Sequence, residues 1–284
     1  MSEAAPKALK GEDWAGEMGE RWLASLDRFE GMIAPIGSAL LAHAAYQPGE
    51  RVLDLGCGGG ATTLTIADSV GPQGAALGLD VAPMLIAKAE ERATTSGSRA
   101  RFVCADAATA MLEQPPFDRL FSRFGSMFFE DPIPAFTNLR GLLKPAARMD
   151  LAVWAHPRDN AWMMEVMGVV RSHIEVPLAV PRAPGPFAFE DLGYLEEILT
   201  SAGFSGMEAV AYQSEQAVGG PGTSPSEATD FVFASMAAGR MLAEQGDAVR
   251  DAARADLTEM FARHYRAGEG VMLACKAWLV TAHR

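Results

Sequence analysis

Residue types that could do chemistry gather first in Arg51-Val52-Leu53-Asp54-Leu55-Gly56-Cys57-Gly58-Gly59-Gly60-Ala61. An apolar run enters a glycine-rich turn, and residues 62–70 then carry a helical pattern. Glycines alternate at 56, 58 and 60, where a β-carbon would clash with a ligand or forbid the backbone angles of the turn. Such a turn is expected to aim backbone N–H groups and a helix N-terminus at a ligand off the carboxyl end of the strand. Gly56-x-Gly58-x-x-Ala61 also satisfies the dinucleotide fingerprint. Asp54 argues against that ligand, because a carboxylate here would oppose a pyrophosphate by roughly 1 to 4 kcal/mol at about 4 Å. It favours a ligand that brings an ammonium and a sulfonium to the turn, as S-adenosylmethionine does. On this stretch alone the dinucleotide and a plain tight turn stay open. Cys57 reads as a small packing residue rather than a nucleophile.

Further acids stand at the ends of the next two apolar runs. Asp80, followed by Val81, can accept both hydroxyls of an adenosine ribose, or simply cap the next helix. It does not by itself separate a nicotinamide ligand from S-adenosylmethionine. Asp106 can accept from an adenine amino group while the N–H of Ala107 donates to the ring; its alternative is an Asx-type turn. Met84 would lie under the adenine or in a helix core. Ser122-Arg123-Phe124-Gly125-Ser126-Met127-Phe128-Phe129 is apolar for the mouth of a sheet, where loops carry function. Ser122 and Phe124 are therefore site candidates, in a wall that excludes water and can face a cation.

A general base would have to sit at the same edge. His156 directly follows the fifth strand, and His264 with Tyr265 precedes the last one. Each could equally be a loop or helix-end residue without a role. His43 and His173 read as structural or exposed. Trp14, Trp22, Met32, Trp154, Trp162, Met163 and Met167 are the large apolar residues of segments expected to cover the site, or else ordinary helix core.

These positions need a scaffold, and the chain supplies a regular one. Helices are expected over 14–29 and, after Pro35, over 36–45. Strands 51–55, 75–79, 101–104, 117–121 and 149–154 then alternate with helices 60–70, 83–96 and 132–143. That alternation implies a parallel sheet with helices on both faces. Pro115-Pro116 breaks the chain before the fourth strand. After His156 the pattern changes to a helix over 160–174, a proline-rich connection, a helix over 189–202 and a strand over 205–213. Helices over 226–243 and 247–266 precede a last strand over 271–280. The organisation expected is a helical cap over 1–47, beginning with a flexible leader over 1–12, and one α/β domain over 48–284. Insertions at about 156–190 and 216–268 would form a lid over an acceptor pocket.

The 284 residues are ample for a full core, and 49% of them are apolar. A net charge of −12 and a pI near 4.9 oppose binding to nucleic acid or to anionic membranes. No run reaches the roughly 18 apolar residues of a membrane span, and no secretory signal core opens the chain. Cys57, Cys104 and Cys275 lie far apart in apolar surroundings, which suggests neither disulfides nor a metal site and fits a reducing cytoplasm. The acceptor expected is a small molecule, and the oligomeric state, including a homodimer, is left open.

Taken together, these motifs resemble class I S-adenosylmethionine-dependent methyltransferases, and more narrowly the ubiquinone/menaquinone-biosynthesis-type small-molecule enzymes. The resemblance is carried by Val52-Leu53-Asp54-Leu55-Gly56-Cys57-Gly58-Gly59-Gly60, Gly78-Leu79-Asp80-Val81, Cys104-Ala105-Asp106-Ala107 and Phe117-Asp118-Arg119-Leu120-Phe121-Ser122-Arg123-Phe124. Asn138-Leu139-Arg140-Gly141-Leu142-Leu143-Lys144-Pro145 also fits, so the match spans about 48–154. It implies a Rossmann-like seven-stranded sheet whose last strand is antiparallel and inserted beside the fifth. It also implies that Asp54, Gly56 and Gly58 hold the methionine half, Asp80 the ribose, and Asp106 with Ala107 the adenine. Trp22, Cys57, Val81, Met84, Ser122 and Phe124 are counted beside them as candidates for the cofactor site. One departure is Lys144-Pro145-Ala146-Ala147, where the family usually has Pro-Gly-Gly. The rivals are a nicotinamide-dependent oxidoreductase, for which no Tyr-x-x-x-Lys is visible, and a non-catalytic cofactor-binding protein.

Overall fold

A computed structural model describes residues 13–113 and 116–284. The expected leader over 1–12 and Pro115 of the expected break lie outside the described residues. Helices α1 (Glu17–Ala24) and α2 (Leu26–Ala44) lead into β1 (Arg51–Leu55), α3 (Ala61–Val70), β2 (Ala75–Asp80), α4 (Pro83–Ser96), β3 (Arg101–Cys104) and β4 (Phe117–Arg123). Next come α5 (Pro132–Gly141), β5 (Leu143–Trp154), α6 (Ala161–His173), α7 (Leu192–Ser201) and β6 (Ser205–Ala217). Then α8 (Pro225–Ser235), α9 (Ala237–Ala243) and α10 (Asp247–Arg263) precede β7 (Tyr265–Arg266) and β8 (Gly270–His283).

The sheet has eight strands rather than the expected seven. Seven lie on the path β3-β2-β1-β4-β5-β8-β6, and the two-residue β7 pairs with β8 off that path. The extra strand exists because Gly268 and Gly270, at φ of 84° and 109°, turn the chain back on itself. Strands β1 to β5 pair in parallel, while β8 runs antiparallel to β5 and β6, inserted between them. The pairing of β5 with β8 stops at Trp154–Ala277, but β6 and β8 stay paired to Ala217–Met272. A two-stranded ribbon therefore rises past the carboxyl edge of the sheet.

Helix boundaries differ from the sequence reading: the helix expected over 226–243 is split at Met236 into α8 and α9, and the N-terminal pair divides elsewhere. The break falls at Ser25, and α2 runs unbroken from Leu26 through Pro35 to Ala44. Pro35 costs the helix a hydrogen bond and roughly 3 kcal/mol. It stands on the exposed face, however, while Met32, Ile33, Ile36 and Leu40 are buried against the sheet. Each of those contributes roughly 1.5 to 3 kcal/mol, enough to override the local signal.

The far end of α2 is fastened by a buried ionic cluster. Arg119 of β4 donates to Asp150 of β5 at 2.9 Å and to the carbonyl of Ala44 at 2.6 Å. Arg148 grips the other Asp150 oxygen at 2.6 Å and reaches the carbonyl of His43 at 3.0 Å. His43 is thus structural: its Nε2 lies 2.9 Å from the Thr281 hydroxyl of β8. His173 pairs with Asp256 of α10 at 2.8 Å.

Candidate active site

Asp54 ends β1 with its carboxylate fully buried against the start of α3. Thr62 and Thr63 of that first turn donate their hydroxyls to Oδ2 at 2.7 and 2.6 Å. Oδ1 is buried and accepts no hydrogen bond among the described residues. Burial pushes the Asp54 carboxyl up to about 6, although the Thr63 and Thr62 hydroxyls pull the other way. The site thus holds a desolvated carboxylate with one oxygen uncommitted.

The glycine turn departs from expectation in an informative way. Four of its N–H groups are turned inward. Gly56 and Cys57 donate to the Leu79 carbonyl at 2.8 and 3.2 Å, Gly60 to Cys57, and Gly58 to Asp80 Oδ2 at 2.8 Å. What the turn offers is room: a Cβ on Gly58, at φ 53°, would meet nothing nearer than Trp22 Nε1 at 4.0 Å. Gly56 serves close packing, because its Cβ would stand 2.6 Å from Gly125 Cα. Cys57 is buried, and burial raises its thiol well above the ordinary range, as expected of a packing residue.

Asp80 Oδ1 also accepts from the N–H of Ala82, the residue before α4, at 3.0 Å, so the carboxylate spans both loops while keeping lone pairs free. Burial raises its pKa against the pull of the Ala82, Gly58 and Val81 N–H groups. Val81 is 40% exposed beside it. Met84 touches α1, where a Cβ on Gly19 would stand 2.8 Å from its sulfur. Asp106 is exposed and forms the Asx turn, with Oδ1 accepting from the Ala108 N–H at 2.8 Å. Ala107 is buried, its carbonyl held by Asn138 Nδ2 at 3.0 Å. Cys104 is exposed rather than embedded in apolar surroundings. The carboxyl ends of β1, β2 and β3 thus present, in order, a buried acid with one uncommitted oxygen, an acid at the last position of β2 and an open ledge.

Aromatic side chains flank this line in two groups. Trp22 stacks on Phe29 at 3.8 Å, and Trp14 packs edge-on against Trp22 and Phe128. On the other side Phe124 stacks on Trp154 at 4.3 Å, followed by Trp162 and Phe187. Phe124 is held at φ 65°, a strained conformation of the kind that clusters at functional sites. Ser122 is buried with its hydroxyl donated to the Leu55 carbonyl at 2.9 Å, so its side chain ties β4 to β1. Met32 belongs to the core under α2, while Met163 and Met167 are partly buried.

The proposed bases are not brought together. His156 Nδ1 accepts from the Arg158 backbone and side chain, both at 3.1 Å, and its Nε2 lies 3.3 Å from Arg158 Nη2 and 3.9 Å from Glu190 Oε1. His264 Nε2 lies 2.7 Å from Glu165 of α6, an imidazole oriented by a carboxylate. Tyr265 is 43% exposed on the short β7. Sequence reasoning missed Thr62, Thr63 and the unpartnered Ser126 hydroxyl. The Thr-Thr pair directly after the glycine turn could have signalled donors for Asp54.

Residues 52–146 match a methyltransferase domain family. Over those residues the chain carries a methyltransferase domain. It is 34% identical over 116 residues to the aklanonic acid methyltransferase DauC of a Streptomyces species, covering 40% of this chain and 53% of that one. The chain therefore spans about half the length of the curated relatives it matches. The YcgJ protein of Bacillus subtilis shares the methyltransferase domain's fold at a TM-score of 0.57 and 17% identity, covering 88% of this chain and 98% of that one. The [4+2]-cyclase SpnF does so at 0.55 and 18%, covering 95% and 94%. Its name is a reminder that this fold does not by itself fix a reaction.

Proposed function

We propose that the protein transfers the methyl group of S-adenosylmethionine to a small, largely apolar metabolite. The observation that carries this is the pairing of an uncommitted Asp54 oxygen with a glycine turn in which the Gly56, Cys57, Gly58 and Gly60 N–H groups are already engaged. A pyrophosphate at this turn meets a carboxylate and finds those four donors taken. An ammonium finds a buried acceptor. The oxidoreductase alternative is weakened on both counts.

The residues fit the cofactor from end to end. Asp54 would hold the amino group, the space over Gly58 the chain, Asp80 the ribose hydroxyls, and Asp106 with Ala107 the adenine, between Val81 and Met84. Bound there, the cofactor supplies an electrophilic methyl on a sulfonium. The protein's part is to orient and to exclude water, and positioning of this kind can be worth effective molarities of order 10⁵ M or more. Trp22 and Phe124 would close the two sides. The wall from Phe124 through Trp154 to Trp162 supports an apolar acceptor, as does the similarity to DauC. A base is required only where the acceptor must first lose a proton. His264, oriented by Glu165, leaves Nδ1 for that proton, whereas both ring nitrogens of His156 contact Arg158. The free thiols support a reducing compartment. Helices α1 and α2, with the elements around the β6–β8 ribbon, would form the cap and lid.

The test is calorimetric titration with S-adenosylmethionine, S-adenosylhomocysteine and NADH, on the protein and on Asp80→Ala. Micromolar binding of the first two, lost in the variant, is expected. Binding of NADH instead would overturn the proposal.

A further inference from the structure

Arg123 ends β4 without a partner. Among the described residues its guanidinium makes no hydrogen bond and no ion pair. Asp54 pairs with Phe121 across the parallel strands, and Arg123, two residues further along, leaves the sheet on the same face. Helix α2 covers that face and makes room for it. A Cβ on Gly37 would stand 2.9 Å from Arg123 Nη1 and 3.0 Å from its Cδ. A glycine in mid-helix costs roughly 0.5 to 1 kcal/mol, so this slot is kept at the expense of stability. The guanidinium is desolvated there, which lowers its pKa against the attraction of Asp54 and Glu30. Five donors in a rigid fork are thus held under a helix beside a carboxylate that also has an uncommitted oxygen.

One buried acid with a free oxygen and one unpaired guanidinium, on one face of neighbouring strands, form the complement of a zwitterion. We propose that Arg123 binds the α-carboxylate of the cofactor's amino-acid half, opposite Asp54, in the slot that Gly37 leaves in α2. This rests on the cofactor reading above. It adds a residue whose own ligand is a carboxylate. The other source of such an anion is the acceptor, and the experiment separates the two.

S-adenosylhomocysteine and its decarboxylated form, S-adenosyl-3-thiopropylamine, are titrated calorimetrically into the protein, Arg123→Gln and Gly37→Ala. Failure of the unaltered protein to bind S-adenosylhomocysteine would overturn the cofactor reading itself. Given that binding, Arg123→Gln is expected to weaken S-adenosylhomocysteine roughly 10- to 100-fold and to leave the decarboxylated ligand within about twofold. Gly37→Ala keeps the arginine but crowds its guanidinium, and should show the same selectivity with an unchanged or higher melting temperature. It also serves if Arg123→Gln folds poorly. Equal weakening of both ligands would overturn the proposal and make Arg123 a structural counter-charge. No weakening of either would overturn it and give the arginine to the acceptor.

Discussion

Gly56 and Gly125 touch backbone to backbone: a Cβ on Gly56 would stand 2.6 Å from Gly125 Cα, and one on Gly125 would stand 2.7 Å from Gly56 Cα. The turn after β1 and the turn after β4 are thereby locked, and with them Asp54, Arg123 and the strained Phe124.

Gly125→Ala should spread the two turns. Overpacking of this kind costs about 1 to 3 kcal/mol, read as a lower midpoint in urea unfolding. Because both turns border the proposed methionine end of the site, affinity for S-adenosylhomocysteine should fall about tenfold or more in protein that is still folded. Wild-type affinity in this variant would mean that the contact matters for packing alone.

Asp54 should make stability and cofactor binding respond to pH in opposite directions. Its carboxyl lies at about 6 in the fold, against an ordinary value of 3.8. The native protein therefore holds the proton more tightly than the unfolded chain. That contribution, on the order of 3 kcal/mol, is present below about pH 4 and is lost as pH rises through about 6. An ammonium ligand needs the ionised form, so affinity should drop as pH falls below about 6. Asp54→Asn should flatten both trends. The measurements are apo melting temperatures and calorimetric affinities between pH 5 and 8, and a pH-independent affinity would count against the Asp54–ammonium contact.

Asp150 is the opposite case, a buried charge without a ligand to hold. Asp150→Ala strips Arg119 and Arg148 of their shared partner beneath the C-terminal end of α2, two strands away from Asp54 in the same cross-strand row. Breaking such a cluster costs roughly 3 to 5 kcal/mol. The melting temperature should fall sharply while the folded fraction binds S-adenosylhomocysteine as before. A loss of affinity at constant stability would show that the cluster positions the cofactor site as well as the fold.

Much of this was legible in the residue order, for local reasons. The glycine turn, Asp54, Asp80 and Asp106 each announce themselves by sitting at the end of an apolar run. Pro35 misled because its signal is local, whereas the burial of Met32, Ile33, Ile36 and Leu40 that outweighs it is tertiary. The engaged N–H groups of the turn depend on Leu79 and Asp80 folding back from the next strand. Arg123 was invisible as a ligand residue because its meaning lies in Gly37, on a helix far away in the chain. The acceptor side stays the least readable, since His156 and His264 acquire their neighbours, Arg158 and Glu165, from packing rather than from a motif.

The position of β8 has a consequence for how the protein is made. Strand β6 reaches the sheet only through β8, which is synthesised later and must slide in beside β5. Until then the Leu151–Trp154 edge of β5 has no partner on that side and exposes unsatisfied backbone to other nascent chains. Conditions that slow translation beyond residue 217 should thus favour aggregation over yield, and chaperones that shield an open strand edge should restore it.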